Sequence, residues 1–312
     1  MEEFDYHPQK PDLIEPKSKG GLSVTIFSMV LFVLAFVLFF GEQINFILYL
    51  LVVLVIHELG HFLVMKRFNY KSVRMLFVPL MGAFVQGKKD EYSQKESFWV
   101  TVAGPMPGII IGTLLFLYAV NNHSVWGLQL SFLFLLLNVI NLMPLDPLDG
   151  GQMFKLFMRK KQELFILVFA LISSLLLIGT GWMIDSLIIV FFGFFMGFRV
   201  RSIQKRYYMH KELADDDVNY STTYKLLTNK DFVKIKRVVL EHTPALRKYL
   251  DQVSMDEADP VIASQVNNVL VTPVKKDAPL VFKALMIIAW ISCVVIPFYL
   301  FWSLDLTWYN GI

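Results

Sequence analysis

Two histidines four residues apart, with a glutamate beside the first, carry the sharpest chemical signal in the chain: His57, Glu58 and His61 in VLVIHELGHFLV, residues 53 to 64. On a helix both imidazoles project from one face about one turn apart, the right placement for two ligands of a single tetrahedral metal. Glu58 is offset by about 100° and sits beside them. This is the H-E-x-x-H arrangement, in which the two His bind zinc and Glu is the base that takes a proton from the metal's water. The surrounding run is apolar enough to dissolve in lipid, where strongly charged side chains cost roughly 2.5 kcal/mol or more each at mid-bilayer. The chain has only six His, and two of them fall at this spacing inside that run. Bound zinc returns about 10 kcal/mol or more in structural sites, enough to offset such a desolvation.

Two His and a water leave a catalytic zinc one protein ligand short, so a third donor is expected at matching depth on another span. The stretch NVINLMPLDPLDGGQMF, residues 138 to 154, ends an apolar run with two Asp, two Pro and a Gly pair. Pro144 and Pro147 cannot continue a regular helix, so the backbone must break after about Met143. Irregular backbone at membrane depth is tolerated where it is buried in protein or lines a water-filled cavity. The break lets the next Asp turn back toward the interior, and either Asp146 or Asp149 can then be the ligand. An opening toward the cytosol is the shortest route for water.

The elements that must position these groups are transmembrane. Of the 312 residues 55% are hydrophobic and 18% charged, with a mean hydropathy of +0.54, against roughly 25% charged residues in a soluble domain. The single Cys excludes a disulfide framework and a cysteine metal cluster built from this chain alone. At about 20 residues per span, seven candidates emerge: residues 22 to 40, 44 to 65, 98 to 120, 126 to 145, 163 to 180, 182 to 198 and 280 to 304. Lys and Arg number 3 in residues 1 to 21, 7 in 66 to 97, 4 in 146 to 162 and 14 in 199 to 279, whereas the alternate loops contain none. The positive-inside rule therefore predicts a cytosolic N-terminus, seven spans and an external C-terminus. The expected organisation is a cytosolic segment 1 to 21, a six-span core 22 to 200, a mostly helical cytosolic segment 201 to 279, a seventh span 280 to 304 and an external tail 305 to 312.

Within the cytosolic segment, Phe232, Ile235, Val239 and Leu240 recur near helical spacing. His123, His210 and His242 are expected to be ordinary surface residues. The pairs Gly108 and Gly112, and Gly193 and Gly197, have G-x-x-x-G spacing and predict close helix packing. Asn138, one turn before Asn141, is read as either a second polar contact in the cavity or an interhelical hydrogen bond, with packing preferred. Between spans two and three, SVRMLFVPLMGAFVQG (residues 72 to 87) is rich in β-branched and aromatic residues and predicts short strands at the cytosolic face.

These residues resemble the site-2 proteases, intramembrane zinc metalloproteases that cut substrates within or near the bilayer. The resemblance rests on HELGH, on NLMPLDPLDGG (residues 141 to 151), similar to the family's N-x-x-P-x-x-x-x-D-G pattern, and on AGPMPG (residues 103 to 108). It implies an all-α polytopic protein: a six-helix metalloprotease core with a cytosolic-face β element and one extra C-terminal helix. It also implies one zinc per chain held by His57, His61 and Asp149, with Glu58 as catalytic base. Asn141 would then help hold substrate or steady the oxyanion, and Asp146 would be an additional carboxylate. In the family such a sheet is proposed to receive substrate as an added strand, which points to Gly82, Ala83 and Phe84. The implied substrates are single-span membrane proteins or remnant signal peptides, cut in a bacterial plasma membrane; no nucleic-acid partner is expected. The competing readings are a zincin of another fold, with Glu163, Glu212 or Glu241 as third ligand, and a non-enzymatic zinc carrier or scaffold.

Overall fold

The computed structural model describes residues 7–14, 21–41, 44–78, 82–145, 148–157 and 162–303. In chain order the main elements are α1 (Gly21–Phe40), α2 (Ile44–Arg67), β1 (Lys71–Val78), β2 (Gly82–Lys88), α3 (Gln94–Ala103), α4 (Pro105–Asn122), α5 (Val125–Asn141), α6 (Asp149–Phe157), α7 (Gln162–Met183), α8 (Leu187–Asp215), α9 (Asn229–Glu241), α10 (Pro244–Leu250), α11 (Met255–Val269) and α12 (Leu280–Ser303). They divide into two compact units. One comprises residues 18–89, 93–159 and 276–312, and the other residues 1–17, 90–92 and 160–275.

In the first unit α2 is central. Its buried side chains Ile47, Leu50, Val53, His57 and His61 recur every three or four residues, with Glu58 buried beside His57, and form one stripe that is apolar for three positions and ionisable for the rest. Gly60 lets the next helix come in: a Cβ there would lie 1.8 Å from the Ala103 carbonyl oxygen at the end of α3. α3 and α4 continue one another through Gly104, whose backbone is helical, with Pro105 at the first position of α4, where a missing N–H is tolerated. The expected third span thus starts earlier and is longer, covering Gln94–Asn122.

β1 and β2 form an antiparallel hairpin with Met75 opposite Val85 and Phe77 opposite Ala83. Met75, Phe77, Ala83 and Val85 pack against Phe32, Phe36, Leu51 and Leu54 of α1 and α2. The outer edge of β1 is occupied by α1: Thr25 Oγ1 donates to the Met75 carbonyl at 2.6 Å, and the Phe77 N–H donates to Ser28 Oγ at 3.2 Å.

Among the described residues five helices are long and apolar enough to cross a membrane, at Gly21–Leu38, Ile44–Arg67, Gln94–Asn122, Leu164–Met183 and Leu280–Leu300. α5 is apolar but has 17 residues, because Pro144 and the turn before it end the helix short of the expected 145. α8 differs most from the expected sixth span. Its apolar stretch, residues 187 to 198, extends about 18 Å at 1.5 Å per residue, and the helix then runs unbroken through a basic segment to Asp215.

The second unit has its own core, built from Met209 and Leu213 of α8, Phe232, Ile235, Val238 and Val239 of α9, and Ile262, Ala263 and Val266 of α11. His210 is no surface residue, as its place in a charged stretch suggests: it is 1% exposed, stacks on Tyr220 at 4.5 Å between centroids and its Nε2 lies 2.7 Å from the Val269 carbonyl. Met209 and Leu213 of the same helix are buried in the same core. Residues 7–14 are strapped to this core by Lys10, whose ammonium donates to the carbonyls of Tyr224, Lys225 and Leu227. Within the α7–α8 hairpin, a Cβ on Gly193 would meet Ile178 at 2.5 Å, so this glycine does serve close packing.

Back in the first unit, Asp277, just before α12, completes the N-terminus of α3. Ser93 Oγ donates to its Oδ2 at 2.6 Å and the Lys95 N–H to its Oδ1 at 3.1 Å. Burial pushes this carboxyl up, but the hydrogen bonds from Ser93 and Lys95 outweigh it and hold its pKa below the ordinary value. A group whose folded pKa is depressed contributes stability above its unfolded pKa and loses it as pH falls through the folded one. Acidification below about pH 4 is therefore expected to lower the protection of the Lys95 amide relative to its intrinsic exchange rate, and Asp277→Asn to remove most of that pH dependence; an unchanged protection factor on acidification would refute the cap.

Candidate metal centre

α2 places the His57 and His61 rings side by side, with centroids 5.0 Å apart. Each ring is turned by a partner for Nδ1. His57 Nδ1 lies 2.8 Å from Asn138 Oδ1, and Asn138 Nδ2 in turn donates to the Phe134 carbonyl one turn earlier on α5 at 2.7 Å. That second bond fixes the amide, so the group facing His57 is the oxygen, an acceptor, and Nδ1 carries the proton. His61 Nδ1 donates to the Val100 carbonyl of α3 at 2.7 Å. With Nδ1 so engaged, each ring turns its Nε2 inward, the orientation a metal ligand requires.

The third corner comes from α6. After Pro144 the chain turns back, and Asp149 at the first position of α6 brings its Oδ2 to 3.1 Å from His57 Nε2 and 3.2 Å from His61 Nε2, which are themselves 3.3 Å apart. Three acceptors aimed at one another repel unless a cation lies among them. Ligands about 2.0–2.1 Å from a tetrahedral zinc stand about 3.3 Å from each other, so the triangle has the edge such an ion needs. His57, His61 and Asp149 form the metal-capable cluster among the described residues.

Glu58 lies beside this triangle, within electrostatic reach of all three ligands. It is 4% exposed, and its Oε2 has no hydrogen-bond partner among the described residues. A buried acceptor left unsatisfied costs about 1–3 kcal/mol or more. An oxygen in that condition next to a metal-capable triangle is poised to receive a proton.

Small residues make the room. A Cβ on Gly104 would fall 2.2 Å from His61 Nε2, and one on Gly108 would fall 2.1 Å from Asn138 Nδ2. The two glycines of AGPMPG thus each accommodate a side chain of the site, and Gly108 does more than pack helices. Asn138 makes an interhelical hydrogen bond, one of its two expected roles, and its partner is the His57 ring, which it orients. The available signal was a carboxamide on an otherwise apolar helix, one turn from another Asn.

The remaining expected residues are placed as follows. Asn141 is half-buried in the last turn of α5. Ala83 points into the cluster between α1 and α2, Phe84 is 39% exposed, and Gly82 has φ +94° with open space around it. Asp146 lies outside the described residues. Of the rival third ligands, Glu212 pairs with His242 at 2.9 Å and Glu241 with Arg237 at 3.8 Å; only the backbone of Glu163 is described.

Residues 45–125, from the start of α2 to the start of α5, match the profile of peptidase family M50. A zinc metalloprotease of Methanocaldococcus jannaschii is 26% identical over 241 residues, covering 74% of this chain and 63% of that protein. Stage IV sporulation protein FB of Bacillus subtilis is 30% identical over 122 residues, 37% of this chain and 41% of that protein. The chain thus aligns with less than two thirds of the length of either relative. Among solved structures, a site-2 protease from M. jannaschii covers 55% of this chain and 87% of its own at 24% identity, with a TM-score of 0.44. The family profile is thus seated on the helix that carries His57, Glu58 and His61, and over this region the chain, a multi-pass integral membrane protein, is similar to peptidase family M50.

Proposed function

We propose that the protein is an intramembrane zinc metalloprotease that hydrolyses peptide bonds in or near the transmembrane segment of membrane-anchored substrates. The observation that carries this reading is a triangle of ligand atoms from His57, His61 and Asp149 beside a buried Glu58 oxygen that has no hydrogen-bond partner among the described residues, with both His and the Glu on a helix apolar enough to span a bilayer.

His57, His61 and Asp149 would hold zinc, with Asn138 and the Val100 carbonyl fixing the two rings. Zinc, when bound, supplies a Lewis acid that polarises a peptide carbonyl and acidifies water. Glu58 Oε2 accepts the proton of the attacking water and returns it to the leaving amine. Its burial among apolar residues keeps bulk water from competing for that proton. Asn141, three residues beyond Asn138 on the same helix, offers an amide donor to substrate or to the developing oxyanion.

An extended substrate would pair with β2. The far edge of β1 is already occupied by Thr25 and Ser28 of α1, which leaves the outer edge of β2, with Gly82, Ala83 and Phe84, to offer main-chain hydrogen bonds. Single-span membrane proteins and remnant signal peptides are the substrate class, since both bring an unwindable segment to the cytosolic face. Charge distribution supports a cytosolic N-terminus, the six-span core of residues 22 to 200, a helical unit on the cytosolic side and a seventh span; a bacterial plasma membrane fits that arrangement.

Glu58→Gln is expected to keep stoichiometric zinc and lose peptide cleavage by at least about a thousandfold, whereas Asp149→Ala loses the metal. Zinc content and hydrolysis of a single-span substrate in detergent measure both; zinc uptake into proteoliposomes without cleavage would instead indicate a carrier. Asn138→Ala is expected to weaken zinc binding about 10- to 100-fold by freeing the His57 ring, read by competition with a chromophoric chelator. Wild-type affinity in that variant would remove Asn138 from the site.

A further inference from the structure

Helix α12 lies outside the region matched by the family profile and contributes no ligand. It nevertheless touches the backbone from which the metal centre hangs. At the end of α5 the carbonyls of the last turn have no helical partner, and Leu142, the C-cap, is 2% exposed. A buried carbonyl in that position needs a donor from elsewhere. Trp290 of α12 provides it, its indole N–H donating to the Leu142 carbonyl at 2.8 Å.

That carbonyl is the point where three helices meet. Gly150, adjacent to Asp149, sits directly against it: a Cβ there would fall 2.0 Å from the Leu142 oxygen. The Leu142 N–H donates to the Asn138 carbonyl at 3.1 Å, so the residue that orients His57 and the residue that closes the triangle lie on either side of Leu142. The indole also contacts both α5 and α6. It packs against the cluster containing Leu142 and Leu135 and against the one containing Met153, and it meets the Phe154 ring of α6 edge-on at 5.8 Å between centroids. Shortly before α12, Asp277 holds the start of α3, the helix whose Val100 carbonyl orients His61.

We propose that α12 is a brace for the metal centre and that Trp290 is a positioning residue, setting the α5–α6 turn so that Asp149 and Asn138 meet the two histidines. The inference rests on the metal-centre reading. A helix that merely anchored the chain in the membrane would have no reason to spend an indole N–H on a site carbonyl. The brace makes metal geometry depend on a residue that touches neither metal nor substrate.

The test uses the full-length chain in detergent, with Trp290→Phe, which keeps an aromatic wedge and removes the donor, Trp290→Ala, and the exposed control Trp302→Phe. Zinc dissociation constants and the visible spectrum of the cobalt-substituted protein report the centre independently of turnover. Trp290→Phe is expected to weaken zinc about tenfold and to shift the cobalt bands. It should also lower kcat with little change in KM, while Trp302→Phe behaves as the unaltered protein. Trp290→Ala should exceed Trp290→Phe in each; if it fails to fold, Trp290→Phe decides alone. Wild-type zinc affinity and an unshifted cobalt spectrum in Trp290→Phe overturn the brace and leave the metal centre standing. An unaltered protein that binds neither zinc nor cobalt overturns both.

Discussion

Two ring protons hold the centre together. Once Nδ1 of His57 and of His61 are committed to Asn138 and to the Val100 carbonyl, both imidazoles must offer lone pairs inward, and Asp149 adds a third acceptor at the same spot. The three ligand atoms converge on one spot, an arrangement suited to a bound cation. The surrounding architecture can be understood as whatever is required to aim those two rings and then supply the carboxylate from another helix.

Aiming them demands unusual closeness. α2 approaches α3 at Gly60, and Gly104 and Gly108 leave space for His61 and for Asn138. In a bilayer, where apolar contact between helices gains little over contact with lipid, close packing and interhelical hydrogen bonds are what hold helices in register. The glycines therefore serve two ends at once: they admit the backbones to short range and leave pockets shaped for particular polar side chains. The proline-imposed end of α5 has a similar double use, since it both turns Asp149 back into the bundle and releases a carbonyl that α12 can grip.

Much of this was legible in the residues. The spacing of His57 and His61 together with lipid-like surroundings implied a metal, and Pro144 and Pro147 implied a break that would return a carboxylate. Which Asp returns could be narrowed only by resemblance, because each follows a proline by two residues in the broken segment. For Asn138 the sequence left a cavity contact and an interhelical hydrogen bond open, because an amide on an apolar helix looks the same in either role; which group it meets lies in how α5 is rotated, which local sequence does not encode. His210 was misread for a related reason. In a helix that leaves an apolar stretch and enters a charged one, the side facing the core is set by α9 and α11, and their arrival is a long-range event. Likewise the apolar run of α8 stops at residue 198, but nothing nearby stops the helix.

That continuity has a mechanical meaning. α8 presents exposed Phe191, Phe194 and Phe198 at its apolar end and, with no proline in between, Met209 and Leu213 to the core of the helical unit. An unbroken helix of 29 residues is a rod about 44 Å long, and a rod transmits tilt and rotation without loss. Whatever engages the far surface of the helical unit thus acts with leverage on the apolar end of the same helix. Load placed on one becomes displacement of the other, with no hinge to absorb it.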